Sequence, residues 1–349
     1  MKHPHRARTI KELAKKAGVS VATISRALNP ETRDRVAPNT REAIDRLALQ
    51  HAYTPHLSAK YLRRRTTKTL GIIIPYERGV FDNVYYTQLL TGLSDALRDT
   101  DYQFKLLLLK GEQRQWQRHD FRAGEQVDGV ITTHWYRFFS HHAVSDMINV
   151  PCVIINDYES RLQARFVCGD HAAGGQMAAQ HFYERGHRHL AVIAGPSWSR
   201  DNKQRVEGFT KFLSQVGIVL PSECIVRADY SEPEAFEVAG ALLRRDRAIT
   251  AIFCCNDQMA FGVLRRLQAM GISCPENVSV IGYDDEPRAA LCQPPLTTIR
   301  APLYHMAQEA ARLLLEYLAT PARNAVSFVG STVLPVTLVE RASVKRLAG

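Results

Sequence analysis

The sequence predicts an all-α head at its N-terminal end and a two-lobed α/β core with parallel sheets behind it. Helical spacing of apolar residues dominates the chain as far as Gln50. From Leu70 onward, short apolar runs alternate with amphipathic helices, a pattern typical of parallel sheets that are covered on both faces. Strands are predicted at 70–74, 104–109, 128–132, 152–155, 190–195, 251–255 and 278–283, and helices at 85–97, 171–185, 201–216, 232–245, 256–270 and 303–319. The chain has 349 residues, and the part after Leu70 is longer than a domain with a single hydrophobic core usually is. We therefore expect two lobes with a cleft between them.

The head begins with two short helices joined by a tight turn. Thr9 and Glu12 stand three positions apart just before an apolar run, which is the spacing of a capping box. Gly18 ends the first helix, because glycine adopts a left-handed backbone at little cost, and Ser20 is placed to cap the second. A third helix is expected near 38–50. The second helix then presents an outward face, as in a helix-turn-helix that enters the DNA major groove, and this face consists of Val21, Ala22, Thr23, Ser25 and Arg26.

A short basic helix is predicted between the head and the core. Thr54 is a candidate cap, Pro55 suits the first helical position, and the helix ends in three arginines at 63–65. A helix this short is not stable alone in water. We therefore expect a hinge that becomes helical only when DNA neutralises its charge. The predicted domains are a head at 1–52, a hinge helix and linker at 53–69, and a core at 70–349.

The positive charge of the chain is concentrated in residues 1–68. That segment carries 16 lysines and arginines against 5 acidic residues, whereas the remainder carries 29 against 30. A charged stretch is usually a solvated surface. A wholly basic segment beside a neutral body is better explained by phosphate binding. The charge distribution therefore indicates nucleic acid as a partner of the head.

Other classes of protein fit the sequence less well. No apolar run approaches the roughly 20 residues of a membrane span, and the opening residues lack the hydrophobic segment of a secretory signal. Seven cysteines without framework spacing predict reduced thiols in a cytoplasmic protein. GxSxG, P-loop and GxGxxG motifs are absent from the sequence, and the adjacent His141 and His142 lack the spacing of metal ligands. We therefore predict no enzyme activity, no cofactor, no metal site and no membrane partner.

A series of motifs links the head and the core to one family. The head carries VSVATISRALN (19–29), TRE (40–42) and Tyr53-x-Pro55. The core carries, in order, GHRHLAVIAGP (186–196), CNDQMAFGVL (255–264), VSVIGYDD (278–285), PPLTTIR (294–300) and LPVTLVER (334–341). Together they resemble the lactose and galactose repressor family over nearly the whole chain. The resemblance implies a homodimeric DNA-binding transcriptional regulator, expected to be a repressor, with a periplasmic-binding-protein-like core whose lobes are joined by three crossings.

The resemblance also implies DNA contacts, residue by residue. The base edges would be read by Val21, Ala22 and Arg26. The phosphate backbone, which fixes register without reading sequence, would be held by Thr9, Ser20, Thr23, Ser25 and Asn29. In the hinge, Leu62 matches the leucine that wedges into the minor groove at the centre of a double-stranded operator. Ala59 matches the hinge residue beside it.

The resemblance further implies an effector site between the lobes. Arg205 matches the cleft arginine of the family, Asn256 the asparagine of the NDQMA turn, and Asp284 the first aspartate of GYDD. An arginine fork flanked by an amide and a carboxylate suits the hydroxyl pairs of a sugar. Tyr230 stands where the family often has an aromatic residue against the effector, and Asn156 falls at the hydroxyl-binding end of a strand. The expected effector is a sugar or a sugar derivative.

Two alternatives stay open at this point. A purine or nucleoside effector is the first, because the family includes nucleobase-responsive members and Tyr230 could stack on a base. A sugar-binding protein without DNA function is the second, although the basic head argues against it. The chain also departs from the family pattern: the loop 75–84 is longer, and His56 replaces an asparagine of the hinge. It ends without leucine heptads, which predicts a dimer rather than a tetramer.

Overall fold

The chain divides into two compact units, residues 1–67 and 68–349. The computed structural model describes residues 9–28, 32–51, 53, 66–76, 80–109, 125–133, 135, 148–158, 162, 164–320 and 328–347. Most of the predicted hinge at 53–69, including Ala59 and Leu62, lies outside these residues, as do Asn29 and His56. The domain limits and the hinge helix therefore stay predictions.

Three helices in the described part of the head pack around a small core of their own. They are α1 (Ile10–Ala17), α2 (Val21–Ala27) and α3 (Pro38–Gln50). The fully buried side chains at the centre are Leu13 from α1, Ile24 and Ala27 from α2, and Ile44 from α3. The apolar residues that repeat at helical period in the sequence therefore form the centre of the head.

The predicted caps of the head helices are confirmed. Thr9 Oγ1 accepts a hydrogen bond from the backbone N–H of Glu12 at 3.2 Å, and Ser20 Oγ accepts from the N–H of Thr23 at 3.1 Å. Gly18 follows α1 with a φ of 65°, in the left-handed region. Each capping side chain is worth roughly 0.5–2 kcal/mol, which matters for helices this short. Local sequence signals thus set the start and end of α1 and the start of α2.

The core unit alternates helices and strands. Among the described residues, its helices are α4 (Val84–Leu97), α5 (His171–Glu184), α6 (Arg200–Gln215), α7 (Glu232–Arg245), α8 (Asp257–Ala269) and α9 (Leu303–Ala319). Its strands are β1 (Thr69–Pro75), β2 (Gln103–Leu109), β3 (Gly129–Thr133), β4 (Cys152–Ile155), β5 (Arg165–Gly169), β6 (Leu190–Ala194), β7 (Ile225–Arg227), β8 (Ala251–Cys254), β9 (Ser279–Tyr283), β10 (Thr297–Arg300), β11 (Gly330–Leu334) and β12 (Thr337–Val339).

Two six-stranded sheets define the two lobes of the core. The N-lobe sheet has the order β11-β5-β4-β3-β1-β2 and is parallel throughout, with α4 and α9 packed together on it. The C-lobe sheet has the order β12-β10-β9-β8-β6-β7, in which β12 alone runs antiparallel to its neighbour. The predicted two-lobed α/β core is confirmed.

The chain passes between the lobes three times. It leaves the N-lobe after β5, returns after β10, and leaves again between β11 and β12. Because parallel strands of one sheet end at the same edge, these crossings lie beside the carboxyl ends of the strands. The cleft is therefore bordered by loops that follow strands in both sheets.

Helices α5 and α6 cross at unusually close range. A Cβ atom at Gly175 would lie 1.9 Å from the carbonyl oxygen of Arg205, and one at Gly208 would lie 1.9 Å from that of Ala172. Only glycine permits this backbone-to-backbone approach at both positions. The crossing therefore brings the start of α5 against the middle of α6.

Two further predictions concern the whole chain. Among the described helices, none is both long and apolar enough to cross a membrane. All seven cysteines carry free thiols, and Cys254 and Cys255 are fully buried at the end of β8, as their apolar surroundings in the sequence predict.

Candidate functional site

The outward face of α2 is the candidate nucleic-acid surface. Val21 is 40% exposed, and Ala22, Ser25 and Arg26 are exposed beside it. Thr23 is half-buried, and its hydroxyl lies 2.9 Å from the hydroxyl of Ser20. The structure thus leaves the three predicted base-reading residues accessible on one helix.

The predicted phosphate contacts overlap with the caps. The hydroxyls of Thr9 and Ser20 accept backbone N–H groups at the starts of α1 and α2. A helix N-terminus carries partial positive charge, so both positions suit a phosphate group. Elsewhere in the head, Arg33 pairs with Asp45 at 2.7 Å and Arg41 with Asp34 at 2.8 Å.

Four of the five predicted effector residues lie in loops or at a helix start that follow strands, and the fifth, Arg205, lies within a helix. Asn156 directly follows β4, and Asp284 directly follows β9. Tyr230 lies in the loop between β7 and α7, Asn256 is the N-cap of α8, and Arg205 lies on α6. The fold therefore brings together residues that are far apart in the sequence; Asn156 and Asp284 are separated by 128 positions.

Arg205 is the centre of this cluster. It is 2% exposed, and its Nη2 atom lies 3.0 Å from Oδ2 of Asp201 and 3.7 Å from Oδ1 of Asp284. Its Nη1–H donates to the carbonyl oxygen of Cys255. Its guanidinium carbon stands 3.8 Å from the centre of the Tyr283 ring. A buried arginine is thus held by two carboxylates and one aromatic face.

His171 connects this arginine to the N-lobe. Its Nδ1 atom accepts from Arg205 Nε at 3.4 Å and lies 3.0 Å from the Tyr283 hydroxyl, while Nε2 lies 2.9 Å from Oδ1 of Asn156. Because Arg205 only donates and the amide oxygen only accepts, the proton is on Nε2. Burial, followed by the charge of Arg205, lowers the pKa of His171 to about 3, so the ring is neutral at physiological pH. Asn156 in turn donates to the Tyr85 hydroxyl at 3.3 Å.

Asp284 is the strained member of the cluster. Its φ is 106°, and its Oδ1 atom is buried without a hydrogen-bond partner, since 3.7 Å to Arg205 is too long for one. Burial raises the pKa of Asp284 to about 7; Arg205 opposes this rise, and Glu286 and Asp201 add to it. An unsatisfied acceptor in a strained backbone is a feature of binding sites.

Tyr230 and Asn256 support one another. The Nδ2–H of Asn256 donates to the Tyr230 carbonyl oxygen at 3.2 Å, and its Oδ1 accepts the N–H of Met259 at 2.9 Å. The Tyr230 hydroxyl lies 2.6 Å from Ser199 Oγ, and its ring meets the Trp198 ring edge to face at 6.4 Å. Asn256 thus positions the tyrosine, and the two rings form an aromatic pair beside Arg205's helix.

Backbone strain is concentrated in the loops around the Arg205 cluster. Six non-glycine residues in the described ranges have a positive φ, and four of them lie in loops that follow strands: Asn156, Tyr230, Asp284 and Asp285. Such conformations persist only where the surrounding structure holds them, and they cluster at binding sites.

Several site residues were not predicted from the sequence. They are His171, Asp201, Tyr283, Tyr85, Ser199 and Trp198. One signal could have found Asp201, because it precedes Arg205 by four positions on a helix and so shares its face. No group of three or more histidine, cysteine or acidic side chains in the described residues is arranged to hold a metal ion.

Two family models match separate parts of the chain. Residues 9–56 match "Bacterial regulatory proteins, lacI family", and residues 179–344 match "Periplasmic binding protein-like domain". The first covers the helix-turn-helix, and the second covers the C-lobe together with α9 and β11 of the N-lobe. The two matches therefore agree with the division into a head and an α/β core.

Two relatives align over most of their length. The HTH-type transcriptional regulator CelR of Thermobifida fusca is 30% identical over 335 residues, which is 94% of this chain and 97% of CelR. The HTH-type transcriptional repressor PurR of Actinobacillus pleuropneumoniae serotype 3 (strain JL03) is 31% identical over 309 residues, 88% of this chain and 90% of PurR.

A solved structure extends the likeness to three dimensions. The transcriptional regulator CelR-cellobiose complex superposes with a TM-score of 0.70 at 29% identity, covering 96% of this chain and 99% of that one. The agreement of head, core and full-length relatives shows that the chain belongs to the lacI family of bacterial regulatory proteins.

Proposed function

We propose that this regulator binds operator DNA as a homodimer and that a small sugar or sugar derivative, held between the core lobes, controls the binding. In this proposal a head at 1–52 reads DNA, a hinge at 53–69 enters the minor groove, and a core at 70–349 binds effector and partner subunit. The observation that carries the proposal is the cluster around Arg205, where both sheets end.

The proposal of DNA binding rests on the positive charge of the head and on the exposed side chains of α2. Residues 1–68 have an excess of 11 positive charges, and α2 exposes Val21, Ala22 and Arg26. Small apolar side chains can contact thymine methyl groups but cannot form bidentate hydrogen bonds, so Arg26 is the guanine reader, worth roughly 1–3 kcal/mol of discrimination. A homodimer presents two such helices, which predicts a pseudopalindromic operator with the paired Leu62 side chains at its centre.

The proposal of a sugar effector rests on the hydrogen-bond donors and acceptors of the cleft. Asp284 offers a free acceptor, while Asn156 and Arg205 lie with it at the facing edges of the two sheets. Sugars need paired donors and acceptors together with an apolar ring face, and Tyr230 and Trp198 supply aromatic surface. A solved relative, the CelR complex, contains the disaccharide cellobiose.

A purine or nucleoside is the second candidate. The Trp198–Tyr230 pair favours it, because aromatic faces stack on planar bases. A full-length relative is named as the repressor PurR. The acceptor of Asp284 suits a ring N–H as well as a sugar hydroxyl, so the polar groups alone do not separate the two classes.

A thermal-shift panel separates these candidates. Sugars, sugar derivatives, nucleosides and nucleobases are added to the full chain, and a ligand that binds only the folded protein raises the melting temperature. A sugar hit that also changes operator affinity supports the first candidate, and a purine hit supports the second. By linkage, operator DNA must alter the affinity of the hit by the same factor. A hit with no effect on DNA binding contradicts control by an effector.

Removing residues 1–68 tests the regulator against a sugar-binding protein without DNA function. The full chain should retard operator DNA in a gel, with an affinity that falls steeply with salt because phosphate contacts release counterions. The truncated chain should bind ligand but not DNA. An affinity that is flat in salt would contradict phosphate-driven binding.

A further inference from the structure

Most of the hydrogen-bonding capacity of Arg205 is used within the protein. Its Nε–H donates to His171 at 3.4 Å, one Nη1–H to the Cys255 carbonyl oxygen, and one Nη2–H to Asp201 at 3.0 Å. A guanidinium has five N–H donors, and here each of its three nitrogens already serves a protein acceptor. A phosphate or carboxylate is gripped best by two parallel free donors. The fork that includes Nε–H is therefore closed, and one N–H remains on Nη1 and one on Nη2.

The charges around Arg205 also disfavour an anion. Asp201 and Asp284 lie 3.0 and 3.7 Å from the same Nη2 atom, and both are buried. Once both are ionised, the three side chains carry a net negative charge. His171 adds no positive charge, because its Nδ1 accepts a hydrogen bond from Arg205 Nε–H and so carries no proton of its own. Arg227, at the end of β7, is exposed to solvent, where its charge is screened, and it donates to the Gly195 carbonyl oxygen at 3.0 Å.

Asp284 is the one carboxylate of this group with an acceptor to spare. Its Oδ1 is buried without a hydrogen bond, and its own N–H is fixed to the Ile299 carbonyl oxygen at 2.7 Å. The next residue, Asp285, is held by Arg300 at 2.7 Å and Arg341 at 2.6 Å. The backbone that presents Asp284 is therefore anchored on both sides.

We propose that Asp284 restricts the effector to uncharged molecules that donate a hydrogen bond to it, and that it excludes sugar phosphates, sugar acids and nucleotides. The inference rests on the proposed function, because it concerns the same cleft. A sugar hydroxyl or a purine ring N–H can give its hydrogen to Oδ1. An ionised phosphate or carboxylate beside Arg205 offers acceptors only, brings negative charge toward two carboxylates, and meets a guanidinium whose Nε–H already donates to His171.

Matched pairs of neutral and phosphorylated ligands test the proposal on the full chain. The pairs are glucose and glucose 6-phosphate, fructose and fructose 6-phosphate, and adenosine and adenosine 5′-monophosphate. Titration calorimetry at pH 8, where Asp284 is ionised, should give at least about tenfold tighter binding of the neutral member of any pair that binds. Asp284→Asn keeps the size and removes the charge, so the preference should shrink to about threefold or less.

Two results of this experiment would overturn the proposal. One is a phosphate ester that binds the wild type as tightly as its neutral counterpart. The other is a tenfold preference that survives in Asp284→Asn, because Asp284 would then not be its source.

A second arm needs no effector. Inorganic phosphate and sulfate are titrated into the wild type, into Asp284→Asn and into Asp99→Asn, whose carboxylate is exposed on the other lobe. The head is the same in all three proteins, so anion binding there cancels. We expect the anions to raise the melting temperature of Asp284→Asn more than that of the other two, and equal shifts would overturn the proposal. If no panel molecule binds, the proposed effector classes fail while this arm still decides the inference.

Discussion

At the cleft, the C-lobe contributes Arg205 with two buried carboxylates, Asp201 and Asp284, each within 4 Å of its guanidinium, whereas the N-lobe contributes the amide of Asn156 and the phenol of Tyr85. Charge is expensive to bury and is retained only where it is paired or functional. Uncharged hydrogen-bonding groups cost less and can exchange partners. The comparison suggests that the C-lobe sets which molecule binds, and that the N-lobe senses whether the lobes have closed on it.

The largest effect should come from Arg205→Ala in the C-lobe. The change leaves Asp201 and Asp284 buried without a counter-charge, and breaking a buried pair costs about 3–5 kcal/mol. Urea unfolding of the full chain measures the loss in free energy of unfolding. Arg265→Ala is the control, since Arg265 is 57% exposed in its pair with Glu232 and should cost less than about 1 kcal/mol. Equal losses in free energy of unfolding for the two variants would contradict the view that the buried charges of the C-lobe are a special feature of the cleft.

The pH dependence of stability should depend on Asp284. Because its pKa in the folded protein, about 7, lies above its usual value, the folded state holds the proton more tightly. This contribution to stability is full below about pH 4 and is lost as the pH rises through 7, at about 1.4 kcal/mol per unit of pKa shift. His171 acts in the opposite sense, because its lowered pKa makes acid destabilising below about 6.5.

Asp284→Asn isolates the first of these contributions. Relative to the wild type, the variant should become progressively more stable between pH 4 and pH 7 and show no further change above about pH 8. Thermal unfolding of both proteins across this range gives the difference. A constant difference would mean that Asp284 does not titrate in the folded protein.

A smaller effect is expected from Asn156→Ala in the N-lobe. The variant leaves His171 Nε2–H and the N–H of Gly169 without their acceptor, and unsatisfied buried donors cost about 1–3 kcal/mol. Asn277→Ala, at an exposed position, is the control. If the N-lobe senses closure, Asn156→Ala should also weaken the effect of ligand on operator binding more than it weakens ligand binding. Equal losses in both would contradict that role.

The smallest effect should come from Tyr230→Phe. It removes the hydroxyl that lies 2.6 Å from Ser199 Oγ and keeps the ring, so it should cost about 1 kcal/mol of stability. Ligand binding should persist, because the aromatic face remains. Tyr158→Phe, which alters an exposed ring, is the matched control. Loss of ligand binding in Tyr230→Phe would show that the hydroxyl, rather than the ring, meets the effector.

Much of the fold was predictable because its signals are local. The strands predicted from apolar runs and the helices between them agree with the structure to within one residue at each end. The strands missed are β5, β7, β10, β11 and β12. These are short, contain few consecutive apolar residues, or lie at sheet edges, and neighbouring strands rather than their own pattern determine their conformation.

The site was predictable only in part. Motif resemblance located Arg205, Asn256 and Asp284 at the cleft, but the roles of their partners arise from tertiary contacts. His171 reaches Asn156 and Arg205 through the fold, and nothing in its local sequence distinguishes it from another helix-starting residue. Nor did the sequence indicate that both side-chain polar atoms of Asn256 form hydrogen bonds within the protein, Nδ2 to Tyr230 and Oδ1 to Met259.

The close crossing of α5 and α6 bears on how natural or selected alleles of this regulator would be interpreted. His171 begins α5, and Arg205 lies three residues before Gly208 on α6, so the spacing of the two helices fixes whether these side chains meet. An alanine at Gly175 or Gly208 would have to separate the helices before its methyl group could fit. An allele mapping there would lose its response to the effector although the altered residue has no ligand to touch. In a genetic screen, such a position would be mistaken for part of the proposed effector site, although it only sets the spacing of the helices that carry His171 and Arg205.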